Sequence, residues 1–421
     1  MKISFLFKWI IKSCLIMVFL VPILLHSWIQ KRRRSKLLSS GKTSEYYKNK
    51  ITYFDRGFLD PTAGAGARAM SDVLKFLNDT RTEVGTVVFG AGSSEAPDLK
   101  TNDTMQIVKF PFMQIREMRR SLLQCDYILV MSPENYFVLS IALLFCKKSP
   151  VIWFFGGDVY YERFKTGTKN HSGLVYLRYF LNYMLYRVVE SLLWRSADVC
   201  LSPNEYEADL IWSFNPNSFV LPIRAFSNAQ LANRNDKSDL ENSKCIDFIF
   251  VGGTGHSPNI AALKCAVTEI LPEIKKRYKQ CITLHIIGSG WEEEEFSSWM
   301  GNAANCVMHG RVPDDELIRL YSESTFALAP IQDGAGVKGK VIEAMYYGAI
   351  VITTPIGAQG IPESVLPRFT QTADMYSYID LMIDDLDAKR TTKSSYLCFL
   401  RDFYSISVYQ ELFDMLIAKG K

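Results

Sequence analysis

Short apolar runs recur along the chain, each closed by glycine or polar residues and most followed by a stretch with helical spacing. In the first half they are Ile51 to Phe54, Val84 to Phe89, Tyr127 to Met131 and Val151 to Phe155; in the second, Ile246 to Val251, His285 to Ile287, Thr325 to Pro330 and Ala349 to Thr353. Runs that are apolar at successive positions predict strands covered on both faces, as in parallel sheets with a helix layer on each side. Strands alternating with helices predict an α/β chain with doubly wound sheets. From Asn228 to Ser243 the chain turns to Asn, Asp, Lys and Ser, which predicts a linker. Two Rossmann-like domains are expected, over residues 45–225 and 244–385, with C-terminal helices over 386–421.

A different pattern opens the chain. Ser13 to Ile29 is apolar apart from Pro22, His26 and Ser27, and Lys31-Arg32-Arg33-Arg34 follows it. That length is near the lower limit for crossing a bilayer. No small-x-small cleavage site follows, and the basic run disfavours export of what comes next. Residues 1–36 are therefore expected to form a retained membrane anchor, single-pass or monotopic, with the body on the cytoplasmic side of the inner or plasma membrane. A second pattern bears on membranes: from Leu174 to Trp194, Tyr176, Tyr179, Tyr183 and Tyr186 interleave with Arg178 and Arg187. Such a helix suits either a core or a membrane interface.

Composition narrows the classes. With 421 residues, 48% of them apolar and 13% aromatic, the chain can fill two sizeable cores. Residues 1–44 hold nine of the 48 basic residues and no acid, so the body is mildly acidic, which argues against nucleic acid as the main partner. The nine cysteines show no C-x-x-C pair, so free thiols in a reducing compartment are expected and zinc knuckles are not.

Candidate chemistry concentrates between Ala329 and Gly360. There an apolar strand runs into a loop with Gly334, Gly336 and Gly339, then a helix from about Val341 to Tyr347. A helix N-terminus after a glycine loop presents unpaired amides and the positive end of the helix dipole, which suits a diphosphate. Lys338 and Lys340 add cations, and Glu343, one turn on, is placed to accept bonds from ribose hydroxyls. A second strand-to-helix loop carries Gly253 and Thr254, with His256 either at a turn or at a ligand. Asp158 follows the strand Val151 to Phe155, where α/β ligands bind, and a small-residue loop with Gly64 and Gly66 precedes another helix.

The run GAGVKGKVIEAMYYGAIVITTPIGAQG resembles the donor-binding segment of GT-B glycosyltransferases, and is similar to the retaining family 4, or group 1, enzymes of bacterial surface-polysaccharide assembly. The stretch from His309 to Leu317 resembles that family's G-x-V-x-D loop. The resemblance implies two Rossmann-like domains facing across a cleft, the C-terminal one holding a nucleotide-sugar donor and the N-terminal one admitting a glycan acceptor, with a lipid as its expected carrier. It also implies two helices beyond Asp374, ending near Lys419 and packing back toward the first domain. Carried over residue by residue, Gly253, Thr254, Gly334, Gly336, Lys338, Lys340 and Glu343 bind the donor; Gly64, Gly66 and Asp158 lie on the acceptor side; and Lys338, Lys340 and Asp158 are the catalytic candidates. The two lysines stand in for a divalent metal, so neither metal nor cofactor is expected. One position departs: the acid that such enzymes place near the transferred sugar falls on Ala335, with Asp333 two residues early. That departure keeps open a catalytically inactive homologue acting as a membrane-bound assembly partner. A nucleotide-sugar epimerase is the other alternative.

Overall fold

In the computed structural model the described strands are all parallel and fall into two sheets, one in each of two units. The structure describes residues 9–11, 13–14, 16, 18, 20–29, 51–54, 72–73, 76, 86–90, 105–109, 127–131, 151–155, 159–170, 172–223, 226, 231, 245–278, 281–291, 299, 305–334 and 336–420. One unit comprises residues 1–225 and 406–421, the other 226–405.

In the first unit the strands are β1 (Ile51–Phe54), β2 (Thr86–Gly90), β3 (Met105–Lys109), β4 (Tyr127–Met131), β5 (Val151–Phe155), β6 (Val199–Ser202) and β7 (Ser218–Val220). Their order is β3-β2-β1-β4-β5-β6-β7, so the winding reverses where β1 pairs with β4. The described part of the apolar N-terminal run is a helix, α1 (residues 9–29). Next come α2 (Tyr160–Asn170), α3 (Gly173–Ser196) and α4 (Glu205–Trp212). Glu190 of α3 is buried and its Oε2 accepts the Tyr161 N–H at 2.9 Å, which puts a carboxylate on the positive end of α2.

The described residues of the expected anchor pack on the core of the first unit. Among the described residues no helix is long and apolar enough to cross a membrane. Ile16, Leu20 and Ile23 recur at helical spacing along one side of α1 and are buried in the same core cluster as Ile128, Ile152, Val189 and Trp194. Hydropathy reads an apolar helix the same way whether its neighbour is lipid or a protein core; here one face is committed to the core.

The second unit carries β8 (Cys245–Val251), β9 (Cys281–Ile287), β10 (Asn305–Gly310), β11 (Phe326–Ala329) and β12 (Ile350–Thr353), in the order β10-β9-β8-β11-β12. Its reversal lies between β8 and β11. The helices are α5 (Ser257–Cys265), α6 (Leu271–Arg277, joined to α5 by a π turn), α7 (Asp314–Glu323), α8 (Gly339–Tyr347), α9 (Thr372–Asp384) and α10 (Leu386–Tyr404). Tyr396 of α10 is fully buried, and its hydroxyl accepts the Val351 N–H at 3.4 Å. Phe226 stacks on Tyr346 with ring centroids 4.0 Å apart and donates its N–H to the Tyr404 carbonyl at 2.8 Å.

Beyond Asp374 there are three helices where two were expected, because Ser405 interrupts the last long helical stretch. Only the last, α11 (Ile406–Gly420), belongs to the first unit. There Phe413 stacks on Phe76 and tilts against Trp153, while the Tyr409 hydroxyl donates to the Pro222 carbonyl at 2.5 Å. Helix α10 stays with the second unit, so the block 386–421 divides at residue 405.

Candidate active site

Ligands of open parallel sheets bind beyond the carboxyl ends of the strands, at the point where the winding reverses. In the second unit that point lies between the loop leaving β8 and the loop leaving β11, and these are the two glycine loops singled out in the sequence.

The β8 loop is held from beneath by the loop leaving β9. Gly252 N–H donates to the Ile287 carbonyl at 2.8 Å, Thr254 N–H to the Ser289 carbonyl at 3.1 Å, and Trp291 Nε1 to the Gly252 carbonyl at 2.7 Å. Gly288 makes this approach possible: its φ is +135°, and a Cβ there would sit 2.5 Å from the Gly252 backbone. Three carbonyl-to-donor bonds thus fix the position of Gly253 and Thr254.

On the other side of the reversal, Ala329 at the end of β11 accepts the Thr353 hydroxyl at 2.8 Å. The chain then turns through Gly334, at φ +114°, with the Gly334 N–H bonded to Asp333 Oδ1 at 2.7 Å. It enters α8 at Lys338, whose side chain makes no cap bond. Lys338 Nζ donates to the Gly336 carbonyl at 2.5 Å. Asp333 is therefore occupied in the turn, and Ala335 lies outside the described residues.

Lys340 joins the two loops. Its Nζ donates to Asn259 Oδ1 at 2.7 Å, and Asn259 Nδ2 donates in turn to the Gly253 carbonyl at 2.9 Å. The ammonium also lies 5.2 Å from the Phe250 ring centroid. Burial, and next the charge of Lys338, pull the Lys340 pKa down to about 8, while Glu343 acts in the opposite direction. Glu343 is itself buried on α8. The site therefore stores positive charge in a partly dehydrated setting, where an incoming anion interacts more strongly than it would in water.

Of the residues expected at the donor, Gly253, Thr254, Gly334, Gly336, Lys338, Lys340 and Glu343 all lie on these two loops and the start of α8. On the acceptor side, Gly64, Gly66 and Asp158 lie outside the described residues. Asn259 was not singled out from the sequence. The available signal was an amide side chain in the first turn of α5, directly before the apolar run Ile260 to Leu263, where it is buried. His256 precedes α5 and makes no side-chain cap bond. A second pair also went unread: His285 Nδ1 and His309 Nε2 are 2.9 Å apart on neighbouring strands β9 and β10. Asp385, which opens an Asp-Leu-Asp run, accepts the Ala388 N–H at 2.9 Å and caps α10.

Residues 246–377 match the family described as Glycosyl transferases group 1. An uncharacterized 44.6 kDa protein from the cps region of Klebsiella pneumoniae is 32% identical over 131 residues, which are 30% of this chain; the match spans about a third of that relative's length, 32%. Among solved structures, Anabaena Alr3699/HepE in complex with UDP-glucose is similar at a TM-score of 0.59 and 14% identity, over 88% of this chain and 99% of the other. The α,α-trehalose 6-phosphate synthase of Burkholderia multivorans is similar at 0.60 and 12% identity, over 89% and 100%. An α-glucosyltransferase in complex with UDP-glucose and DNA is similar at 0.55 and 13% identity, over 87% and 99%. At these identities the structural likeness is one of fold. The family match covers the segment that carries both glycine loops, and the likeness in fold extends over most of the chain.

Proposed function

We propose that the protein transfers a sugar from a nucleotide-sugar to a glycan acceptor carried on a lipid, with retention of anomeric configuration and without a divalent metal. The observation that carries this reading is the Lys340–Asn259–Gly253 chain of hydrogen bonds, which joins the two glycine loops at the reversal of the sheet. A diphosphate placed there would meet the N-terminal end of α8, the Lys338 and Lys340 ammonium groups and the amides of the Gly253 loop.

In glycosyl transfer the bond from the anomeric carbon to the phosphate oxygen breaks and negative charge grows on the departing diphosphate, so cations fixed there favour the transition state over the ground state. The acceptor oxygen forms the new bond to the same carbon. Its proton passes to the leaving phosphate oxygen, which leaves no base to be supplied from the β11 loop. Glu343 is assigned to the ribose hydroxyls and Asp158, with Gly64 and Gly66, to the acceptor. Solved relatives in complex with UDP-glucose support a UDP-sugar as the first donor to try. The cytoplasmic side of the inner or plasma membrane is the proposed location, supported by the basic run Lys31 to Arg34.

Thermal shift of the full chain against UDP-, GDP-, ADP- and CMP-sugars tests the donor, because a ligand of the folded state raises Tm by mass action. One of these sugars is expected to raise Tm and then to be hydrolysed slowly in the absence of acceptor. No shift from any of them would overturn the reading. A shift without turnover under any acceptor would identify an inactive homologue.

A further inference from the structure

Helix α1 has its inner ridge, Ile16, Leu20 and Ile23, in the core of the first unit, and its outward side is apolar as well. Val18, Val21, Leu25 and Trp28 follow one another along that side, with Val18 64% and Val21 58% exposed. None of the described α1 residues carries a formal charge, whereas a helix lying on a protein in water keeps its outer face polar. Helix α3 rests on the same core through Leu185, Val189 and Leu193 and repeats the pattern. Its Leu177, Phe180, Met184 and Val188 recur at helical spacing and are all exposed, as is Leu174 at its first turn. Two helices of one unit thus present apolar rows outward, which is more than the scattered exposed side chains of an ordinary surface.

The charges select the occupant. The only acid in α3 is Glu190, which is buried and bonded to the Tyr161 N–H, whereas Arg178, Arg187 and Arg195 are exposed. Arg187 Nη1 lies 3.0 Å from the Tyr183 hydroxyl, the arrangement of an amphipathic side chain with its stem on an apolar surface. Apolar rows bordered by arginine, on a helix whose single acid is buried, fit the interface of an anionic bilayer.

We infer that the outward faces of α1 and α3 form a monotopic membrane-docking surface, in which α1 lies in the plane of an anionic lipid interface with its inner ridge held by the protein core. The inference is independent of the donor and of the transfer reaction.

Co-sedimentation of the full chain with vesicles of phosphatidylcholine, alone or mixed with phosphatidylglycerol, tests it. The wild type is expected to bind the mixed vesicles and to bind the neutral ones more weakly. Val21→Glu with Leu25→Glu, and separately Leu177→Glu with Phe180→Glu, should each weaken binding roughly tenfold or more, with Tm and the donor-induced shift unchanged. Arg178→Glu with Arg187→Glu should weaken binding to the mixed vesicles and leave the neutral ones unaffected. If the first pair fails to fold, the other two variants still decide. Wild-type vesicle binding by the α3 variants would overturn the inference, as would a lipid-independent dimer that these substitutions dissociate.

Discussion

Lys340 Nζ donates to Asn259 Oδ1 at 2.7 Å, so the helix that follows β11 is tied to the helix that follows β8 across the reversal of the sheet. The two residues are 81 positions apart, and the bond sets the Lys340 ammonium beside the Gly253 loop.

That bond separates positioning from chemistry. Lys340→Ala removes a charge that works hardest as the diphosphate departs, so the loss should fall mainly on kcat at saturating donor. Glu343→Gln should raise the donor KM by roughly 10- to 100-fold with a smaller fall in kcat, since hydrogen bonds to charged groups contribute about 1.5–3 kcal/mol. Asn259→Asp keeps the shape but places a carboxylate against Lys340, and should weaken the donor by neutralising the site. Steady-state kinetics on the three variants checks the split; unchanged kcat in both Lys338→Ala and Lys340→Ala would show that the diphosphate sits elsewhere.

The pH dependence follows from the lowered Lys340 pKa, about 8 against an ordinary 10.5. The diphosphate prefers the ammonium form, so kcat/KM should fall as pH rises through about 8, and bound donor should move that limit upward in kcat. Stability takes the opposite sign. Between the two values the unfolded chain holds the proton that the folded chain has released, so stability should rise with pH across this window and be lost as pH falls back toward 8. In Lys340→Met both effects should vanish, which a pH series of rates and of Tm would show.

In the proposed reaction Lys338 and Lys340 take the place of the positive charge that a divalent ion supplies in metal-dependent transferases. Transfer should therefore survive chelation by EDTA. Activity lost on chelation and restored by Mg²⁺ or Mn²⁺ would reassign that role to a metal.

Removal of residues 1–36 should not release a folded soluble protein. Ile16, Leu20 and Ile23 are each no more than 2% exposed in the core of the first unit. Emptying one such site, as in Leu20→Ala, costs about 2–5 kcal/mol, a large part of a typical domain stability of about 5–15 kcal/mol. The truncated chain is expected to aggregate, and Leu20→Ala to lower Tm. Recovery of a soluble truncated chain with wild-type Tm would show that α1 adds nothing to the core.

The sequence by itself determined the strands that are apolar at successive positions. The limits of β1, β4 and β5 were legible to the residue, because each is a short apolar run closed by polar or glycine residues. It also determined the two glycine loops, since a strand turning directly into a helix needs backbone conformations that glycine adopts readily. The edge strands β3 and β10 escaped it: Met105–Lys109 and Asn305–Gly310 mix polar with apolar residues, as strands at a sheet edge do. Tertiary structure alone decided that the loops after β8 and β11 would meet, because that depends on strand order and not on any local pattern. It likewise chose Asn259 as the partner of Lys340, and gave one side of α1 to a protein core while leaving the other outward. Local composition sets which backbone conformations and which burial a segment favours; the neighbour that supplies the burial is selected by the path of the whole chain.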